Sequence, residues 1–352
     1  PYKNGTVLSD VREPLYAGTG SAKIFGNNSS SWSSLSGVRL KSGTAVISGK
    51  SYSLTAEFKL LAAAEGDLSG SGKKAELALI IAAKKSGGSS LMLLCTAAAK
   101  LSEPITPIIV LHDSAGQTSD FYGDTDEFIN SITIACADMN GDGFDEIITT
   151  SPTSGYTAKS TDKYGFDKFG GSYLWYLNKE GRTENSWKNS ASWCSKPHNM
   201  GNSLPLYIDD CHIGTPGVTA SIAAGDINGD GFEDVVTAIS TTNAHYTNRT
   251  GNMFTVYYIA GAAEFSDMYL TRKPLTNYIG SEVDTLHLGP TSGDAAGFDV
   301  EICDIDGTGK PTIFLSFKET LHHYAAFSGE RMLTPSYYVF AFDYNEKNSG
   351  FN

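Results

Sequence analysis

Apolar and polar residues alternate along Val218-Thr219-Ala220-Ser221-Ile222, a period of two that puts one face of an extended segment on a core and the other in water. Comparable extended segments run from Leu54 to Leu61, Ile132 to Cys136, Val218 to Ala223 and Val300 to Cys303. After a short polar loop, each is followed by a second apolar run, at Leu77 to Ile81, Ile147 to Thr150, Val235 to Ile239 and Ile313 to Phe317. A third run follows, at Leu91 to Leu94, Tyr173 to Leu177, Phe254 to Ile259 and Tyr337 to Phe342. A fourth strand is expected at Ile108 to Leu111 and at Met268 to Thr271. Most of these runs are rich in β-branched or aromatic residues, and all are too short for helices, which predicts antiparallel meanders of three or four strands. A lone meander leaves a sheet face bare and must stack on neighbours, and radial stacking of such sheets is a β-propeller. The pattern therefore predicts an all-β chain built as a β-propeller of four-stranded antiparallel blades, with a solenoid or an open slice of a larger propeller as the alternatives.

The loops between first and second runs repeat as well. They read Asp67-Leu-Ser69-Gly-Ser71-Gly72, Asp138-Met-Asn140-Gly-Asp142-Gly143, Asp226-Ile-Asn228-Gly-Asp230-Gly231 and Asp304-Ile-Asp306-Gly-Thr308-Gly309. Their first aspartates, at positions 67, 138, 226 and 304, lie 71, 88 and 78 residues apart, spacings that suit a unit of several strands. Residues 51–352 thus hold four recognisable repeats. Residues 1–50 lack the loop and read as polar, Gly/Ser-rich chain with a strand-like piece around Ala22 to Phe25. They are expected to supply a closing outer strand or a degenerate fifth blade.

Oxygen-bearing side chains at loop positions 1, 3 and 5, with glycine where the chain must turn, match the first half of a calcium loop, which takes hard oxygen donors including a backbone carbonyl at position 7. In loop two the donors would be Asp138, Asn140, Asp142, the Phe144 carbonyl and Glu146; in loop three, Asp226, Asn228, Asp230, the Phe232 carbonyl and Asp234. Loop four offers Asp304, Asp306, Thr308 and the Lys310 carbonyl, with Thr312 where a carboxylate would stand. Loop one offers Asp67, Ser69 and Ser71, with Glu76 one place late and Lys73 and Lys74 nearby. Structural Ca2+ is expected in loops two and three, more weakly in four and least in one. These are not EF-hands, because position 12 holds Thr149 or Thr237 rather than a bidentate acid.

The blocks Ile134-Ala-Cys-Ala-Asp138-Met-Asn-Gly-Asp-Gly-Phe-Asp-Glu-Ile-Ile and Ile222-Ala-Ala-Gly-Asp226-Ile-Asn-Gly-Asp-Gly-Phe-Glu-Asp-Val-Val resemble FG-GAP/VCBS repeats, the calcium-loop blades of integrin α-subunits and many microbial surface proteins and lectins. The resemblance spans residues 55–345 and implies a propeller in which calcium pins the turn between the first two strands of a blade. The long units, their irregular spacing and the degraded first and fourth loops depart from the family pattern.

Composition narrows the partners. With 39 acidic against 26 basic side chains the net charge is −13, which repels nucleic-acid backbones and favours divalent cations. Hydrophobic residues at 40% with charged residues at 18% exclude whole-chain disorder. No apolar run reaches membrane-spanning length. Five cysteines leave an odd thiol; Cys95, Cys136 and Cys303 lie in strand-like runs and are expected to be buried, while Cys194 and Cys211 could pair as a disulfide. Asn4, Asn27, Asn28 and Asn248 head glycosylation sequons. No nucleophile elbow, phosphate loop or zinc-binding His-Glu-x-x-His is present, and adjacent His322 and His323 on a strand would face opposite ways. The acidic group Asp120, Asp124, Asp126 and Glu127 reads as a solvated turn. Trp187 and Trp193, in the long insertion between loops two and three, are the first choice for a ligand surface, since aromatic faces stack on sugars. The expectation is a non-catalytic extracellular or cell-surface module for adhesion or assembly, meeting a protein partner or another copy. A glycan-binding lectin is the alternative, and a calcium-dependent polysaccharide lyase or hydrolase ranks third.

Overall fold

Strand-forming runs separated by Gly-rich turns become sheets of sequential antiparallel strands. The computed structural model describes residues 15–16, 21–24, 35–99, 103–113, 132–154, 169–200, 219–243, 251–271, 273–274, 298–324, 331–345 and 350–351. The chain divides into two compact units, one of Pro1–Asp138, Asp142–Thr149 and Tyr173–Asn199, the other of Met139–Gly141, Thr150–Ser172 and Met200–Asn352.

Chain order begins with β1 (Leu15–Tyr16), β2 (Ser21–Ile24), β3 (Leu35–Arg39) and β4 (Gly43–Ile47). The first repeat then supplies β5 (Lys50–Gly66), β6 (Glu76–Lys85), β7 (Ser90–Ala98) and β8 (Thr106–Asp113), paired in that order. Both β1 and β4 add to β5, which at 17 residues is long enough to take them at different points along its length, while β2 and β3 form a separate hairpin. The second sheet is β9 (Thr133–Ala137), β10 (Glu146–Ser154), β11 (Phe169–Trp175) and β12 (His198–Asn199). The third is β13 (Thr219–Gly225), β14 (Asp234–Asn243), β15 (Gly251–Ile259) and β16 (Lys273–Pro274). The fourth is β17 (Phe298–Cys303), β18 (Thr312–Tyr324) and β19 (Arg331–Phe342), followed by the small pair β20 (Tyr344–Asn345) and β21 (Gly350–Phe351).

The near-continuous apolar run of β6 marks a strand covered on both faces. Leu77, Leu79 and Ile81 enter one core with Ile47, Leu54 and Leu93, whereas Ala78 and Ile80 enter another with Ile134, Cys136, Ile147 and Trp175. In the second unit Ile227, Val236 and Tyr258 of the third repeat pack with Val300, Ile313, Leu315 and Phe342 of the fourth. Burying each large aliphatic side chain contributes roughly 1.5–3 kcal/mol.

Within each unit, successive sheets meet along their first strands. Gly66 at the end of β5 faces Cys136 of β9 so closely that an added Cβ would lie 2.6 Å from the cysteine Cβ. Ser221 of β13 donates to Asp299 at 2.7 Å and accepts from the Val300 amide at 3.1 Å, tying β13 to β17.

Two expectations are corrected here. Met268 to Thr271 is not a strand but the end of helix α1 (Phe265–Thr271). Only one β-branched residue stands in that stretch, and a single turn suffices to bury Met268 completely. Cys303 is exposed rather than buried, because β17 is an edge strand whose alternation turns Val300 inward and Cys303 outward.

Candidate metal centre

Each of the four loops folds around its first aspartate. In loop three the Asp226 carboxylate accepts from the amides of Gly229 at 2.8 Å, Asp230 at 3.1 Å and Gly231 at 3.0 Å. In loop four Asp304 accepts from Gly307, Thr308 and Gly309 at 2.8, 3.1 and 2.8 Å. In loop two Asp138 accepts from Asp142 at 3.0 Å and Gly143 at 2.9 Å; in loop one Asp67 accepts from Ser71, Gly72 and Lys73. Aiming those amides at one carboxylate requires left-handed backbone at positions 4 and 6, and glycine stands at both: φ is +76° at Gly229 and +90° at Gly231.

The loops differ in what closes them. In loop one the Ser69 and Ser71 hydroxyls donate to Asp67 Oδ1 at 3.3 and 3.2 Å. In loop two a guanidinium stands against position 5: Arg182 Nη1 is 3.0 Å from Asp142 Oδ1. Loop three presents oxygen side chains at positions 1, 3 and 5, with the Asn228 amide donating to Asp230 Oδ2 at 2.8 Å and the Phe232 amide to Oδ1 at 2.9 Å. In loop four the Thr308 hydroxyl and amide donate to exposed Asp306 and hold its carboxyl below the usual range.

The acid that closes the loop plays a different part from the one expected. Asp234 is fully buried and accepts from Ile227 at 2.8 Å, Asn228 at 3.2 Å and Gly261 at 2.8 Å, so it clamps backbone rather than facing the loop opening. Burial pushes its carboxyl up to about 7 against the pull of those three amides, and the charge of Asp230 adds to the rise. Glu76 does the same work in loop one, accepting from the Ser69 amide at 3.3 Å and from Leu68. Its one-place delay is explained by register, since Glu76 pairs with Gly66 as Asp234 pairs with Gly225. In loop four Thr312 takes this register position opposite Cys303 and donates to Asp343 at 2.7 Å. Glu146 is buried in loop two. Among the described residues no three His, Cys, Asp or Glu side chains gather as a metal group, and Asp234 is turned to backbone.

Fit to a hard cation therefore differs by loop. The oxygen donors of Asp226, Asn228, Asp230 and the Phe232 carbonyl suit calcium. Loop two differs, because a guanidinium stands 3.0 Å from one oxygen of its position-5 carboxylate, where a metal ion would set like charge beside like charge.

Position 7 carries a second repeat. The Phe144 ring lies over Gly70 of loop one, where an added Cβ would come within 2.6–2.8 Å of it, and the Phe232 ring lies over Gly141 of loop two in the same way, at 2.8–3.0 Å. Lys310 replaces phenylalanine in loop four, and Gly229 has nothing within 4 Å of its Cβ direction. The position-2 residues Leu68, Met139 and Ile227 are buried, whereas Ile305 is 71% exposed. Sequence reading missed the phenylalanine contact; the signal was Phe at position 7 of both clean loops.

The expected ligand surface is a core element. Trp187 and Trp193 are 5% and 2% exposed and lie in the apolar cluster with Trp175. The Trp187 carbonyl accepts from Thr96 Oγ1 at 2.9 Å and from Trp193 Nε1 at 3.2 Å, which locks the insertion onto β7. Cys194 is a free, buried thiol pushed up to about 11 by burial, so the expected disulfide is not formed; Cys211 lies outside the described residues. The sequons at Asn4, Asn27, Asn28 and Asn248 and the acidic group at 120–127 also lie outside them. His322 and His323 pair with Leu333 and Met332 within β18 and β19.

The FG-GAP repeat model matches residues 218–251, the segment that carries loop three. No match was found among the curated proteins. Among solved structures, the crystal structure of rhamnogalacturonan lyase YesW is similar with a TM-score of 0.38 and 12% identity, over 92% of this chain and 52% of that one. The chain thus spans about half the length of that solved chain.

Proposed function

We propose that this chain is a non-catalytic extracellular β-propeller module of the FG-GAP type that serves adhesion or assembly, meeting another protein or another copy of itself, with structural calcium in loop three and weaker binding in loop four. The observation that carries this reading is the loop architecture repeated four times, with the hard-oxygen set of loop three open to a cation. First strands lying side by side within each unit support blades arranged around an axis. Asp226, Asn228, Asp230 and the Phe232 carbonyl would hold the ion. When bound, it neutralises clustered carboxylates, so that binding energy becomes folding energy. Among the described residues no helix is long and apolar enough to cross a membrane. The lectin reading loses its named surface, since Trp187 and Trp193 are spent on the core.

Isothermal titration with calcium tests the metal assignment: a tighter and a weaker binding event are expected for the wild type, and loss of the tighter one for Asp226→Asn. Identical titrations for the two proteins, or no binding by either, would overturn it. Protein and glycan arrays probed in calcium separate the functional readings. Protein binding with glycan silence supports adhesion or assembly, and glycan binding alone reassigns the chain as a lectin.

A further inference from the structure

The insertion that follows β11 folds back over loop two. Asn178 donates to the Ser192 carbonyl at 2.8 Å and Cys194 to the Tyr176 carbonyl at 2.9 Å, so the excursion closes on itself like a strap. At its turn Gly181 is left-handed at φ +68°, and the Thr183 amide is caught by Ser186 Oγ at 2.7 Å. These contacts fix the residue between them, Arg182. Its Nη2 donates to the Leu177 carbonyl at 2.9 Å, its Nη1 meets Asp142 Oδ1 at 3.0 Å, and its guanidinium lies 4.4 Å over the Phe144 ring centroid. The two charged side chains are only 10% and 20% exposed.

We infer that loop two is closed by Arg182 in place of a metal ion, the guanidinium serving as a built-in cation. The inference rests on reading loop three as a calcium site. A planar fork with five N–H donors and a fixed charge matches one carboxylate, one carbonyl and one aromatic face at once, as a hydrated ammonium would not. Calcium at loop two would share the Asp142 carboxylate with the guanidinium and would stand beside a like charge held in place by the strap, so guanidinium and metal oppose each other. The other loops show the alternatives: serine hydroxyls close loop one, while in loop three neutral amides, of the Asn228 side chain and the Phe232 backbone, lean on Asp230. The clean spacing of loop two therefore specifies a loop shape and not, by itself, a metal site.

Native mass spectrometry with calcium titration tests this on the full chain. Arg182→Gln is expected to bind one calcium ion more than the wild type, and Asp142→Asn alone is expected to bind as many as the wild type. Loss of one ion in Asp142→Asn, or no gain in a folded Arg182→Gln, would overturn the assignment. If Arg182→Gln does not fold, Asp142→Asn decides alone. A wild type that binds no calcium, with a gain in Arg182→Gln, removes the reading of loop three and leaves that of Arg182 standing.

Discussion

At the scale of single residues, an aspartate and two glycines make each loop. The aspartate collects backbone amides that would otherwise lack partners, and the glycines supply the positive φ that aims them. Ala in place of Gly70 or Gly141 would meet both backbone strain and a phenylalanine ring, costing about 2–3 kcal/mol, against about 1 kcal/mol for Gly229→Ala, which meets strain alone. Urea unfolding of the three variants checks that order, and equal losses would contradict the ring contact. Asp234→Ala leaves the Ile227, Asn228 and Gly261 amides without their acceptor inside the protein. A loss of about 2–4 kcal/mol is expected, with faster amide exchange at Gly261. Exchange at Gly261 unchanged from wild type would show that the clamp does not operate.

At the scale of elements, much of the plan was legible before any coordinates. Runs such as Val235–Ile239 and Ile313–Phe317 are strands because β-branched and aromatic residues fit a pleated surface, and the Asp-x-Asn-Gly-Asp-Gly hairpins mark where they turn. Local chemistry sufficed in those places. It failed where a distant partner decides the outcome. Nothing near Met268 announces that its burial favours a helical turn, and aromatic residues in a polar insertion look solvent-facing until the strap is seen on β7. Arg182 was invisible for the same reason, since no spacing links it to Asp142. The strap is accordingly structural: Trp187→Ala should cost about 3–5 kcal/mol, and saturating oligosaccharide should leave tryptophan emission unshifted. A sugar-induced shift would return the insertion to the role of a ligand surface.

At the scale of the whole molecule, the repeat rule is loop upon loop. Within the first unit Phe144 covers Gly70, within the second Phe232 covers Gly141, and each position-2 residue of the first three loops is buried. Each solves the repulsion among its oxygens in its own way, and loop three is the one proposed here to do so with calcium. Its stability should then be linked to calcium, because an ion bound only by the folded state adds RT ln(1 + [L]/Kd) to the unfolding free energy. Calorimetric melting of the full chain in calcium and in EDTA measures this most directly. The account predicts a clearly lower melting temperature in EDTA for the wild type and a much smaller difference for Asp226→Asn, which keeps only the weaker loop-four site. Superimposable wild-type curves in the two buffers, from protein purified without bound metal, would contradict it.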